Sequence, residues 1–134
     1  MFFRLMGMIF GALLVIAPLA CGGAPKGGDM GQAPAELREV NELLRQAGSA
    51  TNKAPAKISD LERFKDNFVL GHGALKAGKV VVFWGTPFAG EGDVGKNEAP
   101  LAYEKEVPTA GGYMLFSAGS IKKISPDEFK ALKK

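Results

Sequence analysis

Hydrophobic spacing changes character several times along the chain, and each change marks an element. From Leu5 to Ala20 the run is continuous and uncharged. From residue 35 the apolar positions are Leu37, Val40, Leu43, Leu44 and Ala47, and Glu36, Arg38, Glu39, Glu42 and Arg45 fill the other side. Steps of three and four predict an amphipathic helix over 35–47, with Pro34 at its first position and Gly48 as its cap. Residues 48–57 are small and polar and predict a linker, so this helix is expected to dock loosely on the rest. Ser59-Asp60-Leu61-Glu62 has the form of a capping box. It predicts a short helix with Leu61, Phe64 and Phe68 on its apolar face, broken by Gly71 and Gly73.

The second half reads as strands. Val80-Val81-Val82-Phe83-Trp84 is five apolar residues in a row, mostly β-branched or aromatic, and predicts a strand covered on both faces. Shorter stretches at Leu101–Val107, Tyr113–Phe116 and Ile121–Ile124 predict three more, separated by the turns 108–112 and 117–120. Ser125-Pro126-Asp127-Glu128 then supplies an N-cap, a first-position proline and an acidic third residue for a last helix anchored by Phe129 and Leu132. The sum is an α+β fold: a small antiparallel β-meander of three to four strands with short helices packed on one side.

The first run carries a different message. Arg4 precedes 16 apolar residues, about 24 Å of helix at ~1.5 Å per residue, which is short for a permanent span. A basic start, an apolar run and small residues at its end form an export signal peptide over 1–20. Cys21 is the lone cysteine and stands where a bacterial lipoprotein signal places its acylated residue, although Pro18 and Leu19 are unusual in the positions before it. Lipid on Cys21 would fix the protein to a membrane. Ordinary secretion and an uncleaved anchor are the alternatives. Residues 21–34, with five Gly and two Pro after the cysteine, read as a tether. Residues 35–134 then form one α+β domain.

Charge narrows the partners. Without Arg4 the chain holds 16 basic and 14 acidic residues, spread rather than striped, so a nucleic-acid partner is not expected. Lys130, Lys133 and Lys134 suit the end of a helix. A single cysteine excludes an intramolecular disulfide.

Three stretches resemble chemistry. Gly90-Glu91-Gly92-Asp93-Val94-Gly95-Lys96-Asn97 matches the glycines of a dinucleotide loop and nearly those of a phosphate loop. Both need a helix directly afterwards, and Pro100 leads into a strand instead, while Glu91, Asp93 and Glu98 would repel a polyphosphate. No nucleotide and no cofactor is therefore expected, and the ordered spacing of a calcium loop is missing. His72, the only histidine, lies between glycines at an element boundary with no adjacent nucleophile, and Ser59, Ser117, Ser120 and Ser125 sit mostly at turns or caps. No catalytic or metal residue is assigned. Trp84, with Tyr103 and Tyr113, is the candidate for an exposed aromatic platform, joined to the loop through Glu91 and Asp93.

Two resemblances bear on family. Gly78–Pro87 resembles the strand before the redox site of thioredoxin-like exported proteins, but Pro87-Phe88-Ala89-Gly90 follows where those carry Cys-x-x-Cys. Leu101-Ala102-Tyr103-Glu104-Lys105 and Gly111–Ile121 resemble the tail of planctomycete-type pseudopilin-like exported proteins, in which a His is followed at fixed spacing by Asp-Gly between two strands. Pro108 and Ala118 occupy the places of that His and Asp. The second resemblance implies a small protein of the cell envelope rather than an enzyme. The expected function is a non-catalytic, membrane-anchored envelope lipoprotein acting as an interaction or accessory module with an envelope protein. The alternatives are a redox-inactive thioredoxin relative, which needs strand 79–84 flanked by parallel neighbours, and a small hydrolase, which needs His72 beside a serine and a carboxylate.

Overall fold

A computed structural model describes residues 32–132; the signal 1–20, Cys21, the tether as far as Gly31, and Lys133 and Lys134 lie outside the described residues. Along the chain come helix α1 (Ala35–Thr51), a 3-10 helix (Ile58–Asn67), α2 (Val69–Lys76), strand β1 (Val80–Val82), a 3-10 turn (Glu91–Asp93), β2 (Pro100–Glu104), α3 (Val107–Ala110), β3 (Gly112–Phe116), β4 (Ile121–Ile124) and α4 (Pro126–Leu132). The strands form one sheet in the order β1-β2-β3-β4, every neighbouring pair antiparallel. The α+β class and the four-stranded meander are as the sequence led us to expect.

Side-chain alternation divides β3 between two cores. Leu115 joins Leu37, Val40, Leu43, Leu44 and Leu61 from the helices, with Val80, Val82 and Ile121 from the sheet, and Tyr113 packs on the same cluster. Met114 and Phe116 join Val107, Ile124 and Phe129 on the other side. An irregularity between Pro100 and Ala102 lets two consecutive residues, Leu101 and Ala102, enter the first core. Helices therefore lie on both faces: α1, the long 3-10 helix and α2 on one, α4 on the other. The expectation of a single helical side describes the first group alone.

The first helix is not loosely docked. Leu37, Val40 and Leu43 are fully buried, and the helix runs on through Gly48 to Thr51. Gly48 is not its cap. Asn52 ends the helix in the left-handed conformation, at φ 53°, a conformation asparagine tolerates better than most residues. A Cβ on Gly48 would sit 2.5 Å from a ring carbon of Phe88, so the missing side chain makes room for that ring.

Gly71 and Gly73 do not break the second helical region either; both lie inside α2. A Cβ on Gly71 would come within 2.8 Å of Glu39 Cβ and of the Val40 nitrogen. The glycine is the contact point of two crossing helices, and the Glu39 carboxylate accepts the Gly71 N–H at 2.9 Å. Tertiary packing has overridden helix propensity there. The expected capping box shifts too. Asp60, not Ser59, closes the turn, its carboxylate accepting the N–H groups of Ala56 (2.9 Å) and Lys57 (3.2 Å).

Strand β1 is the sheet's edge, and it is not covered on both faces. Val80 and Val82 are buried while Val81 is 37% exposed, because α4 packs beside Tyr103, Met114 and Ile124 and leaves the edge bare on that side. An antiparallel edge strand is also not the parallel-flanked strand that the thioredoxin resemblance requires. At the other end the predicted start of α4 holds in detail. Ser125 Oγ accepts the Glu128 N–H at 3.2 Å, and the Glu128 carboxylate accepts the Ser125 N–H at 2.7 Å. The Ser125 N–H first, and then the Ser125 side chain, hold the Glu128 carboxyl below its ordinary value.

Candidate functional site

The aromatic platform does not assemble from its three expected members. Register pairs Tyr103 with Met114, so Tyr103 lies on the α4 side, stacked at a tilt between Phe83 (centroids 5.4 Å apart) and Phe129 (4.8 Å). Tyr113 is one residue out of step and packs against the opposite core. Trp84, just beyond β1, is 38% exposed. Glu91 and Asp93 bound the 3-10 turn in the long loop after β1, and Asp93 uses Oδ2 to accept the Gly90 N–H at 3.3 Å. Cys21 lies outside the described residues. The glycine-rich loop leads into β2 rather than a helix, so its N–H groups are not aligned by a helix start. Among the described residues no group of three or more His, Cys, Asp or Glu is placed to hold a metal ion.

What the loop does have is a set of fastenings that sequence reasoning missed. Glu98, its side chain only 4% exposed, accepts the Gly95 N–H and the Lys122 ammonium, each at 2.8 Å, and the Ser120 hydroxyl. Burial is the largest single influence on its carboxyl and opposes ionisation. The bonds from Lys122, Ser120 and Gly95 together outweigh it and hold the group below its ordinary value. Next to it, Ser117 Oγ accepts the Ala99 N–H at 2.8 Å, the Ser117 N–H returns a bond to the Ala99 carbonyl at 2.8 Å, and the Ser117 carbonyl accepts from Ala89 at 3.0 Å and Arg45 at 3.2 Å. Arg45 also lies over the Phe88 ring, 5.4 Å from its centre. The loop is laced to β3, β4 and α1 at its start and its end.

His72 lies inside α2 and not at a boundary. Its side chain is 8% exposed, and Nε2 is 3.4 Å from Glu62 Oε1. That is ion-pair range without hydrogen-bond geometry, and Nε2 has no hydrogen-bond partner. Glu62 also faces Lys65 at 3.5 Å. Partial desolvation works against the Glu62 charge, but His72 and then Lys65 and Lys76 hold its carboxyl below the usual value. An imidazole beside a carboxylate is two parts of a nucleophilic site. Among the described residues no serine is hydrogen-bonded to Nε2 of His72.

No family model matches the chain, and no curated protein and no solved structure matches it.

Proposed function

We propose that the protein is a non-catalytic accessory module of the cell envelope, exported by residues 1–20 and held to a membrane through lipid on Cys21. The supporting observation is the direction in which the loop's chemistry faces. Ser117, Ser120 and Glu98, the closest grouping of hydroxyls and a carboxylate, are turned into the frame and bonded there. The apolar side chains that the region leaves outward are Trp84 at one end and Val94, 37% exposed, in the loop, beside exposed Lys96 and Asn97. A fastened loop with apolar tips is suited to recognition, since little ordering entropy is lost when a partner binds.

The test is an intact mass of the mature protein taken from its native envelope, after separation of membrane and soluble fractions. A membrane-bound chain beginning at Cys21 with a diacylglyceryl mass supports the reading. An unmodified soluble chain, or an uncleaved one, overturns the anchoring. A substrate-dependent activity lost on His72→Ala overturns the non-catalytic part.

A further inference from the structure

Among the described residues the least covered large apolar side chains are Val69, 67% exposed, and Leu70, 51% exposed, side by side at the start of α2. The helix is two-sided. Gly71, His72, Ala74 and Leu75 are buried, while Val69, Leu70, Gly73 and Lys76 look outward, followed by exposed Ala77. The outward side is therefore mainly apolar, which reverses the usual pattern of a surface helix.

The place where the described chain begins gives that surface a neighbour. A groove of about 200 Å³ is lined by Val69, Leu70, Gly73, Ala74, Lys79 and Glu36 of the first turn of α1. Glu36 and Lys79 also line the adjoining groove with Pro34. The chain thus enters the domain beside the exposed pair. Twelve residues lie between Cys21 and Pro34, and the thirteen steps span at most about 47 Å even fully extended. The tether from Cys21 therefore joins the domain on this side, beside Val69 and Leu70.

We infer that the outer face of α2 rests on the phospholipid bilayer that holds the lipid of Cys21, with Val69 and Leu70 entering the headgroup boundary. The inference rests on the tethered reading above. Short apolar surfaces of this kind bind weakly alone, and a tether raises their effective concentration at the bilayer. Lys79 borders the pair in the groove, and exposed Lys76, which also acts on the Glu62 carboxylate, follows on the outward side of α2; both have apolar stems long enough to lie along the boundary while the ammonium groups reach phosphate. Glu36 is the carboxylate in the groove. Glu104 and Glu106 are in or beside the adjoining one, and Glu104 is turned to the Tyr113 N–H at 2.7 Å.

With Cys21 acylated, an introduced cysteine is the only thiol in the mature chain. Full-length Leu70→Cys and Lys130→Cys proteins, the second on α4 with its side chain 74% exposed, are purified from membranes and labelled with an environment-sensitive fluorophore. They are then reconstituted on vesicles of phosphatidylethanolamine and phosphatidylglycerol. The expected result is co-flotation of both proteins, a blue shift and reduced iodide quenching at position 70, and neither change at position 130. Adding Val69→Asp to Leu70→Cys, with unchanged circular dichroism, is expected to remove the shift without releasing the protein. Flotation with no shift at either position overturns the face contact and leaves the tether standing. Equal shifts at both positions overturn it as unoriented adsorption. Failure to float removes the tether and the face contact together.

Discussion

On the α1 side of the sheet, Leu37, Val40 and Leu43 meet Leu115 and Ile121, and none of these five side chains is exposed. On the other side α4, seven residues long, covers Met114, Phe116 and Ile124 mainly with Phe129. An open groove of about 280 Å³ remains there between Phe83, Thr86, Pro100, Met114, Phe129 and Leu132. The two layers enclose the same strands, yet one is sealed around Leu43, with a groove at its edge beside Leu37 and Val80, and the other is vented onto Met114 and Phe129. A side chain removed from the sealed layer leaves a cavity with nothing to fill it. The same removal beside an open groove merges with space that water already reaches. The same number of apolar atoms should therefore contribute more stability on the sealed side.

The sharpest break of that comparison is a pair of truncations. Leu43→Ala is expected to cost about 4–5 kcal/mol, the upper end for leucine, and Phe129→Ala about 3 kcal/mol, the lower end for phenylalanine. Urea unfolding followed by circular dichroism measures both. Equal costs, or a larger one for Phe129, would show that the vented side is as enclosed as the sealed one.

Glu98 joins the loop to the far edge of the sheet, and Glu98→Ala leaves Ser120 and Lys122 without their acceptor, at about 2–3 kcal/mol. Its pH dependence carries a definite sign. The folded carboxyl titrates below the 4.5 of a free glutamate, so its stabilisation is complete above that value and is lost as the pH falls through the lower folded value. Glu98→Gln should flatten the acid limb of a stability–pH profile recorded from neutrality downward. An unchanged acid limb would mean that the carboxylate network contributes nothing to it.

Two glycines in one helix separate packing from propensity. Gly71→Ala drives a methyl into the backbone of α1 and is expected to cost about 1–3 kcal/mol. Gly73→Ala meets nothing within 4 Å and should stabilise by about 0.5–1 kcal/mol. Thermal melts of the two variants should move in opposite directions; a shared direction would sink the assignment of Gly71 to the helix crossing. Ser125→Ala is expected to cost about 1 kcal/mol for the lost cap of α4, with a matching fall in helicity near the C-terminus measured by amide exchange.

Legibility from sequence follows the range of the interactions. Ser125 and Glu128 satisfy each other within three residues, and β4 is bounded by a serine turn and that cap, so both were readable. Gly48 and Gly71 look like helix ends when only neighbours are considered. Their purpose depends on Phe88 and on Glu39 and Val40, each more than thirty residues away in sequence. The aromatic platform failed for a related reason: Tyr103 and Tyr113 separate because of their pairing register, which no local pattern of the two strands dictates. Glu98 was visible as an acidic loop residue, but its partners Ser120 and Lys122 lie 22 and 24 positions on, and nothing near it in the chain announces them.

Strand order that repeats chain order also sets a timetable. The β3–β4 hairpin closes over four residues, Ser117 to Ser120, and β2 then adds to a partner already formed. Such neighbour pairings are quick because little chain must be confined to make them. Helix α1 is only half of this kind: it crosses α2 at Gly71 and packs with Leu61 of the 3-10 helix, but the rest of its buried side rests on Leu115 and Ile121, near the other end of the chain. During synthesis it emerges before the described strands, and the sheet side of its core waits for nearly the whole protein. The earliest of the described helices is thus among the last elements to be fully covered.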